Sequence, residues 1–158
     1  MRLANLTRPE LIYGSLDASD AEGVLEAFSE RMASIGVIPR ARDLYRKLYE
    51  REQLGSTGIG DGVAIPHCKL EKLDSPILAI GRLEGSDGEA GGVDFGAVDG
   101  KPVHLFFLVV SPDDSPAEHL QVLAGLSRWL RADNHAAKVM EAESAEAIYE
   151  LLEREGST

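Results

Sequence analysis

The sequence predicts an α/β fold, with one domain over residues 1–158 and a mixed parallel and antiparallel central sheet flanked by helices. The run Val103–Val110 is nearly all apolar over eight residues, which is typical of a central strand covered on both faces. Stretches with helical spacing of apolar residues alternate with such runs. Asp99-Gly100 is a tight-turn signal that predicts a hairpin between two strands. A length of 158 residues suits a single domain.

In the first part of the chain, residues 9–15 predict a short strand or an extended lead-in. Ser19 and Glu22 match a capping box, so a helix is expected to begin there. Gly36 follows the last apolar residue of that helix and suits its C-terminal cap. The spacing of apolar residues predicts a second helix over Ala41–Gln53.

Further strands are expected on either side of a polar, glycine-rich segment. Pro76–Leu83 predicts a buried strand, Glu84–Gly92 an exposed acidic loop, and Val93–Val98 a weak strand before the Asp99-Gly100 turn. No repeat, linker or low-complexity segment interrupts this order.

The last third of the chain predicts three helices. Ser115 and Glu118 match a second capping box, and Pro116 stands at the first helical position, where its missing N–H costs nothing. That helix is expected to continue through Leu120, Leu123, Leu126, Trp129 and Leu130. Two more helices are expected over Asn134–Glu141 and Ser144–Glu153.

Composition limits the possible partners and compartment. The net charge of −11 argues against nucleic acid, whose phosphates need a basic surface. It suits a protein partner with a positive face, although solubility alone also explains it. The single cysteine, Cys68, excludes an internal disulfide and indicates a reducing compartment. Because no apolar run reaches the length of a membrane span or signal peptide, we expect a cytoplasmic protein that does not itself span a membrane.

The most informative stretch is REQLGSTGIGDGVAIPH, from Arg51 to His67. It reads as a helix end, a loop with four glycines, and a short strand over Val63–Ile65. Pro66 pushes Ile65 toward an extended conformation, so His67 is expected just past a strand and beside the loop.

This loop has the composition of an anion cradle. Glycine reaches positive φ without penalty, and consecutive N–H groups in such turns form anion-binding concavities. Ser56 and Thr57 add hydroxyl groups. Arg51 adds a planar donor fork, although a cation in a last helical turn is also explained by the helix dipole. The residues therefore indicate a histidine next to an oxyanion site.

A second histidine, His119, falls in the first turn of the helix that starts at Ser115. The positive end of a helix dipole disfavours imidazolium, so a neutral His119 can donate an N–H to an anion or to another ring. A solvated histidine without a role fits the same position equally well.

Other interpretations of these motifs fit poorly. The glycine loop follows a helix and precedes a strand, which is the reverse of a dinucleotide fingerprint, and no P-loop occurs. Ser56 is not on the strand-to-helix elbow of a hydrolase. The histidines and Cys68 match no zinc spacing, so no metal is expected. Cys68 suits a small buried residue better than a reactive thiol. His104 is expected to be packed or at an edge, and His135 at the surface.

The stretch GSTGIGDGVAIPH, the later DGKPVHLFFLVVSP and the segment from His119 onward closely resemble the type-2 EIIA domains of the bacterial phosphoenolpyruvate:sugar phosphotransferase system. The resemblance extends from about Leu11 to Leu152 and includes features of the nitrogen-regulatory, PtsN-like branch. Cys68 departs from the pattern, because the family often has glycine after its histidine.

The resemblance implies the type-2 EIIA fold and a phosphocarrier without cofactor. His67 would carry the phosphoryl group and His119 would be the second active-site histidine. The phosphate would be supported by Arg51 and by residues of the glycine loop, namely Ser56, Thr57, Gly58 and Gly60. The donor would be an HPr-type phosphocarrier protein. The recipient would be either a sugar-specific EIIB or a set of regulatory target proteins, and the sequence leaves these two roles open.

Overall fold

The computed structural model describes residues 2–83 and 92–155, and the expected acidic loop Glu84–Gly92 therefore lies outside it except for Gly92. The helices are α1 (Ala21–Ser34), α2 (Ala41–Gln53), α3 (Pro116–Arg131), α4 (His135–Glu141) and α5 (Ala145–Glu155). The strands are β1 (Ile12–Leu16), β2 (Gly58–Gly60), β3 (Val63–Ala64), β4 (His67–Leu70), β5 (Ile77–Leu83) and β6 (Leu105–Pro112). Short 3₁₀ turns at Leu3–Leu6 and Pro9–Leu11 precede β1.

One mixed sheet is organised around β6, whose eight residues are all buried. Strand β5 runs antiparallel to β6 on one side, with β1 parallel to β5 beyond it. On the other side β3 and β4 both run parallel to β6, and β2 pairs antiparallel with β3. The predicted fold class, a mixed sheet flanked by helices, is confirmed.

Strands β3 and β4 form a single line along β6 that is interrupted at one place. Val63 pairs with Leu105 and His67 pairs with Val109, so the register is the same before and after the interruption. The interruption lies at Ile65 and Pro66, where proline has no N–H to donate to the ladder. The sequence therefore breaks this strand immediately before His67 without shifting its register.

Helices cover the sheet on both faces. On one face, α1 and α2 bury side chains such as Phe28 and Leu48 against Cys68 and Phe106. On the other face, α3, α4 and α5 pack against a second apolar cluster that contains Phe107. No helix within the described residues is long and apolar enough to cross a membrane.

Both predicted capping boxes are wrong in detail. The cap of α1 is Asp20 instead of Ser19, and its carboxylate accepts a hydrogen bond from the Gly23 amide at 2.7 Å. Ser115 does cap α3 by position, but its hydroxyl donates to Asp114 instead of accepting from the helix. In each case a nearby carboxylate, a stronger acceptor than a hydroxyl, determines the local bonding.

The segment before β6 departs from the prediction. Val93–Val98 is not a strand, since only Val93 forms a bridge, with Val103, and Val98 is 94% exposed. The chain turns between Ala97 and Gly100 without forming a tight hairpin, and the central strand begins two residues later than expected.

The prediction that His135 lies at the surface is also wrong, because its side chain is buried. Its ring stacks on Trp129 with centroids 4.1 Å apart, and its Nδ1 lies 2.6 Å from the Trp129 carbonyl oxygen. The aromatic face of Trp129 thus covers His135. Its position near a helix start had suggested that it is exposed to solvent.

Candidate functional site

His67 lies just past β3, as expected, and is itself the first residue of β4. It is half-buried. Its Nδ1 lies 2.8 Å from the carbonyl oxygen of Ile65. Since a carbonyl oxygen only accepts, Nδ1 carries the proton and Nε2 keeps its lone pair.

Arg51 reaches this lone pair from the last turn of α2. Its Nε donates to His67 Nε2 at 3.3 Å, and its Nη1 donates to the Gly55 carbonyl oxygen at 2.9 Å. The guanidinium is therefore fixed by the loop on one side and by the imidazole on the other. The prediction that Arg51 ends α2 beside the glycine loop is confirmed by these contacts.

The surroundings favour a neutral His67. Burial lowers the pKa of the His67 imidazole below its ordinary value of 6.5, and the Arg51 guanidinium lowers it further. The hydrogen bond with Ile65 opposes these effects in part. A neutral imidazole with a free Nε2 lone pair is a nucleophile.

His119 lies in the first turn of α3, and its ring centroid is 5.5 Å from that of His67. It is only 6% exposed, which excludes the solvated histidine considered above. Its Nδ1 lies 2.6 Å from the hydroxyl of Ser111, which is fully buried in β6. This bond fixes the ring through Nδ1 and leaves Nε2 without a hydrogen-bond partner in the described part of the chain.

His119 is the more strongly perturbed of the two histidines. Burial, then the charges of His67 and Lys69, lower the pKa of His119 to about 4. It is therefore neutral near pH 7. Lys69 follows His67 by two residues on β4, so both side chains lie on the same face of that strand.

The hydroxyl groups of the loop are engaged within the protein. Thr57 is buried, and both its hydroxyl and its amide bond to the Glu52 carboxylate. The Ser56 hydroxyl donates to the Phe95 carbonyl oxygen at 2.6 Å and accepts from the Gly58 amide at 2.9 Å. In this structure these groups hold the loop in shape beside His67.

Glycine is required at Gly58 and at Gly60 for different physical reasons. The Gly58–Gly60 segment is strand β2 and not open loop as expected. A side chain at Gly58 would place its Cβ 2.9 Å from that of Ala97, so close packing requires glycine there. Gly60 has φ +95°, a conformation that other residues rarely adopt.

A cavity of about 260 Å³ opens beside His67. It is lined by Arg51, Ser56, Thr57, Gly58, Ile59, Ile65, His67, Leu123 and Ser127. The two α3 residues in this lining follow His119 by one and two helical turns, so they lie on the same face of the helix.

Cys68 and His104 lie apart from this arrangement. Cys68 faces the opposite side of β4, in the core with α1 and α2, where burial raises the pKa of its thiol to about 12. This confirms its expected role as a small buried residue. His104 precedes β6 and lines a separate groove with Gly62 and Leu105.

Sequence reasoning missed Glu52, Ser111 and Lys69. Glu52 adjoins Arg51, but its bond to Thr57 depends on the fold of the loop between them. Ser111 is a polar residue that ends an apolar strand, and that position could have marked it as a partner for a polar group. Lys69 could have been found from the two-residue period of a strand that begins at His67.

Residues 5–155 match the family described as the phosphoenolpyruvate-dependent sugar phosphotransferase system, EIIA 2. A nitrogen regulatory protein of Bradyrhizobium diazoefficiens is 35% identical over 152 residues, which cover 96% of this chain and 95% of that protein. A fructose-specific EIIA component of Haloferax volcanii is 32% identical over 150 residues, which cover 95% and 94% of the two chains. The crystal structure of nitrogen regulatory protein IIA-Ntr from Neisseria meningitidis matches with a TM-score of 0.83 at 28% identity, covering 94% of this chain and 97% of that one.

Proposed function

The chain belongs to the EIIA 2 family of the phosphoenolpyruvate-dependent sugar phosphotransferase system, and we propose that it is a phosphocarrier that accepts a phosphoryl group on Nε2 of His67. The observation that supports this most is the pair of contacts on the His67 ring. Nδ1–H is held by the Ile65 carbonyl oxygen, and the Nε2 lone pair points toward the Arg51 guanidinium.

The reaction exchanges one phosphorus–nitrogen bond for another. The donor is an HPr-type phosphocarrier protein that carries its phosphoryl group on a histidine. The Nε2 lone pair of His67 attacks phosphorus, the bond from phosphorus to the donor nitrogen breaks, and the donor imidazole leaves with that electron pair. The proton on Nδ1 stays in place, and the Ile65 carbonyl oxygen stabilises the positive charge that develops on the ring.

The surrounding donors stabilise the phosphoryl oxygens. As phosphorus approaches, the Arg51 N–H leaves Nε2 and turns to an equatorial oxygen, and His119 donates from Nε2–H when Ser111 donates to its Nδ1. Ser56, Thr57 and Gly58 line the cavity that receives these oxygens, whereas Gly60 lines the separate groove beside His104. Phosphoryl transfer needs mainly such positioning and charge stabilisation.

Exposed apolar side chains support a protein as the partner at this site. Leu54 follows α2 three residues after Arg51 and is 84% exposed, and Leu120 follows His119 and is 67% exposed. Ile59, on the cavity wall, is 52% exposed. Apolar surface around a polar site marks a protein interface.

The subsequent role is that of a nitrogen-regulatory, PtsN-like EIIA, whose phosphorylation state selects its protein partners. The similarity to the nitrogen regulatory protein of B. diazoefficiens supports this assignment. The alternative is a sugar-specific EIIA that passes the phosphoryl group to an EIIB. The fructose-specific relative, of nearly equal identity, supports that second role.

The proposal is tested by phosphate transfer from labelled phosphoenolpyruvate through enzyme I and an HPr-type protein. We expect stable labelling of the wild-type chain and none of His67→Ala. Labelling of His67→Ala to the wild-type level would overturn the assignment. We expect His119→Ala to accept phosphate and to pass it on poorly. Incubation of each labelled protein with candidate EIIB acceptors distinguishes a transport role from a regulatory role.

A further inference from the structure

A basic cleft lies next to the His67 site in a chain whose net charge is −11. The cleft has a volume of about 710 Å³ between α2, the end of β4 and the turn that follows β4. Its charged lining consists of the cations Arg40, Arg46, Lys47, Lys69 and Lys72 and the carboxylates Asp43, Glu71 and Asp113. Cations outnumber carboxylates here, although carboxylates dominate the sequence as a whole.

Most of these cations have no charged partner. Arg46 lies 3.8 Å from Asp43, an i, i+3 pair on the surface of α2. The other four cations, Arg40, Lys47, Lys69 and Lys72, form no ion pair within 4 Å with any residue in 2–83 and 92–155. All four are exposed. With Arg46 paired to Asp43, these four cations face two carboxylates that are also unpaired within those ranges, Glu71 and Asp113, and the remaining excess of positive charge produces a local positive potential.

The cleft is close enough to His67 to lie under the same partner. Lys69 lines the cleft, follows His67 by two residues on β4, and acts electrostatically on His119. A strand rises about 3.3 Å per residue, so Lys69 is about 7 Å from His67 along the chain. A standard interface covers about 800 Å² on each partner, which as a disc has a radius of about 16 Å. A protein centred on His67 therefore reaches the cleft.

We propose that this cleft binds an acidic segment of a target protein that docks over the unphosphorylated His67 site. Charge complementarity supports this partner, because its carboxylates would pair with cations that have no ion-pair partner within the described chain. The cleft volume of about 710 Å³ suits a segment of several residues. This inference rests on the proposed function, since it names the partner chemistry of the same site.

Phosphorylation would weaken this binding. A phosphoryl group on His67 adds close to two negative charges on the face of β4 that also carries Lys69, and these charges offset the positive potential of the cleft and repel an acidic partner. The unphosphorylated protein would thus hold acidic partners and the phosphorylated protein would release them. The charge that the reaction transfers is itself the signal.

The test uses the full chain labelled with ¹⁵N and an octaglutamate peptide as the probe, at low ionic strength where charge interactions are least screened. A protein of net charge −11 repels a polyanion in general, so binding requires a local site. We expect amide shifts confined to the cleft residues, and weaker binding after phosphorylation of His67. Shifts elsewhere, no binding, or equal affinity of both forms would overturn the proposal.

A matched pair of variants identifies the surface. Lys47→Glu with Lys72→Glu reverses two cleft charges and should weaken peptide binding about tenfold, since each exposed ion pair contributes only modestly to affinity. Arg128→Glu with Lys138→Glu makes the same change of net charge at exposed positions outside the cleft. Equal effects of the two pairs would contradict the proposal, as would displacement of the peptide by an equal concentration of inorganic pyrophosphate.

The experiment separates this inference from the proposed function. Binding of octaglutamate to the unphosphorylated chain does not depend on phosphate transfer. If the chain accepts no phosphate but the cleft variants still weaken peptide binding, the phosphocarrier role fails and the basic cleft stands. If the chain accepts phosphate and the cleft binds no peptide, the cleft proposal alone fails.

Discussion

The Nδ1 atom of His67 lies 2.8 Å from the carbonyl oxygen of Ile65, two residues earlier in the same strand line. That carbonyl is available because Pro66 interrupts the line between β3 and β4 while the register along β6 continues unchanged. A local sequence feature, Ile-Pro-His, therefore selects the tautomer of the ring. It directs the reactive Nε2 toward Arg51 and the cavity.

Arg51→Lys should slow phosphate acceptance by roughly 10- to 100-fold, because lysine lacks the planar fork that contacts both Nε2 and the Gly55 carbonyl oxygen. The measurement is the initial rate of labelling over a series of donor concentrations. The loss should appear in the rate at saturating donor. Arg42→Lys, at an exposed position of the same helix, is the control, and an equal loss in both variants would exclude a specific role for Arg51.

Ser111→Ala should leave phosphate acceptance near the wild-type level and slow onward transfer about tenfold, because His119 loses the bond that orients its ring. It should also lower the free energy of unfolding by about 1–3 kcal/mol, since a buried ring nitrogen is left without a partner. Ser29→Ala removes another buried hydroxyl, bonded to the Leu25 carbonyl oxygen, far from the site in sequence. If Ser29→Ala also slowed onward transfer, the slower transfer in Ser111→Ala would result from lost stability and not from the orientation of His119.

His119 should contribute to stability in a defined pH range. Its pKa is about 4 in the folded protein and 6.5 in an ordinary setting, so between these values the unfolded chain binds more protons. Stability from this group is therefore complete above pH 6.5 and is lost as the pH falls toward 4. Denaturant unfolding of wild type and His119→Gln at several pH values isolates the contribution of His119 to the free energy of unfolding. Parallel curves for the two proteins across that range would contradict the buried, neutral state of His119.

Glu52 and Thr57 should be energetically coupled, because the Glu52 carboxylate accepts from both the amide and the hydroxyl of Thr57. Glu52→Gln, Thr57→Val and the double variant form a cycle whose coupling free energy should be about 0.5–3 kcal/mol. Both single variants should also slow phosphate acceptance, since the loop they hold forms a wall of the cavity. Additive effects on unfolding would show that the two residues act independently.

The sequence predicted the larger elements because their signals are local. The bounds of α2 are those expected, and Arg51, His67 and His119 converge although they come from three separate elements. The apolar run before Ser111 predicted the central strand. Each of these features depends on a pattern of apolar spacing or on a helix end that a few neighbouring residues determine.

What the sequence could not predict depends on distant partners. Val93–Val98 has the residues of a strand, but only Val93 finds a partner, Val103. His135 is buried because Trp129 stacks on it. From the sequence, the hydroxyls of Ser56 and Thr57 could bond to an anion or to other protein groups. In the structure they donate to the Phe95 carbonyl oxygen and the Glu52 carboxylate. Such assignments need the three-dimensional arrangement.

The position of the phosphoryl group on the ring tests the account most directly. Long-range ¹H–¹⁵N NMR spectra of the chain phosphorylated with an HPr-type donor distinguish the two ring nitrogens of His67. We predict phosphorus on Nε2, with Nδ1 still protonated and bonded to the Ile65 carbonyl oxygen. Phosphorus on Nδ1 of His67, or on another histidine, would contradict the account.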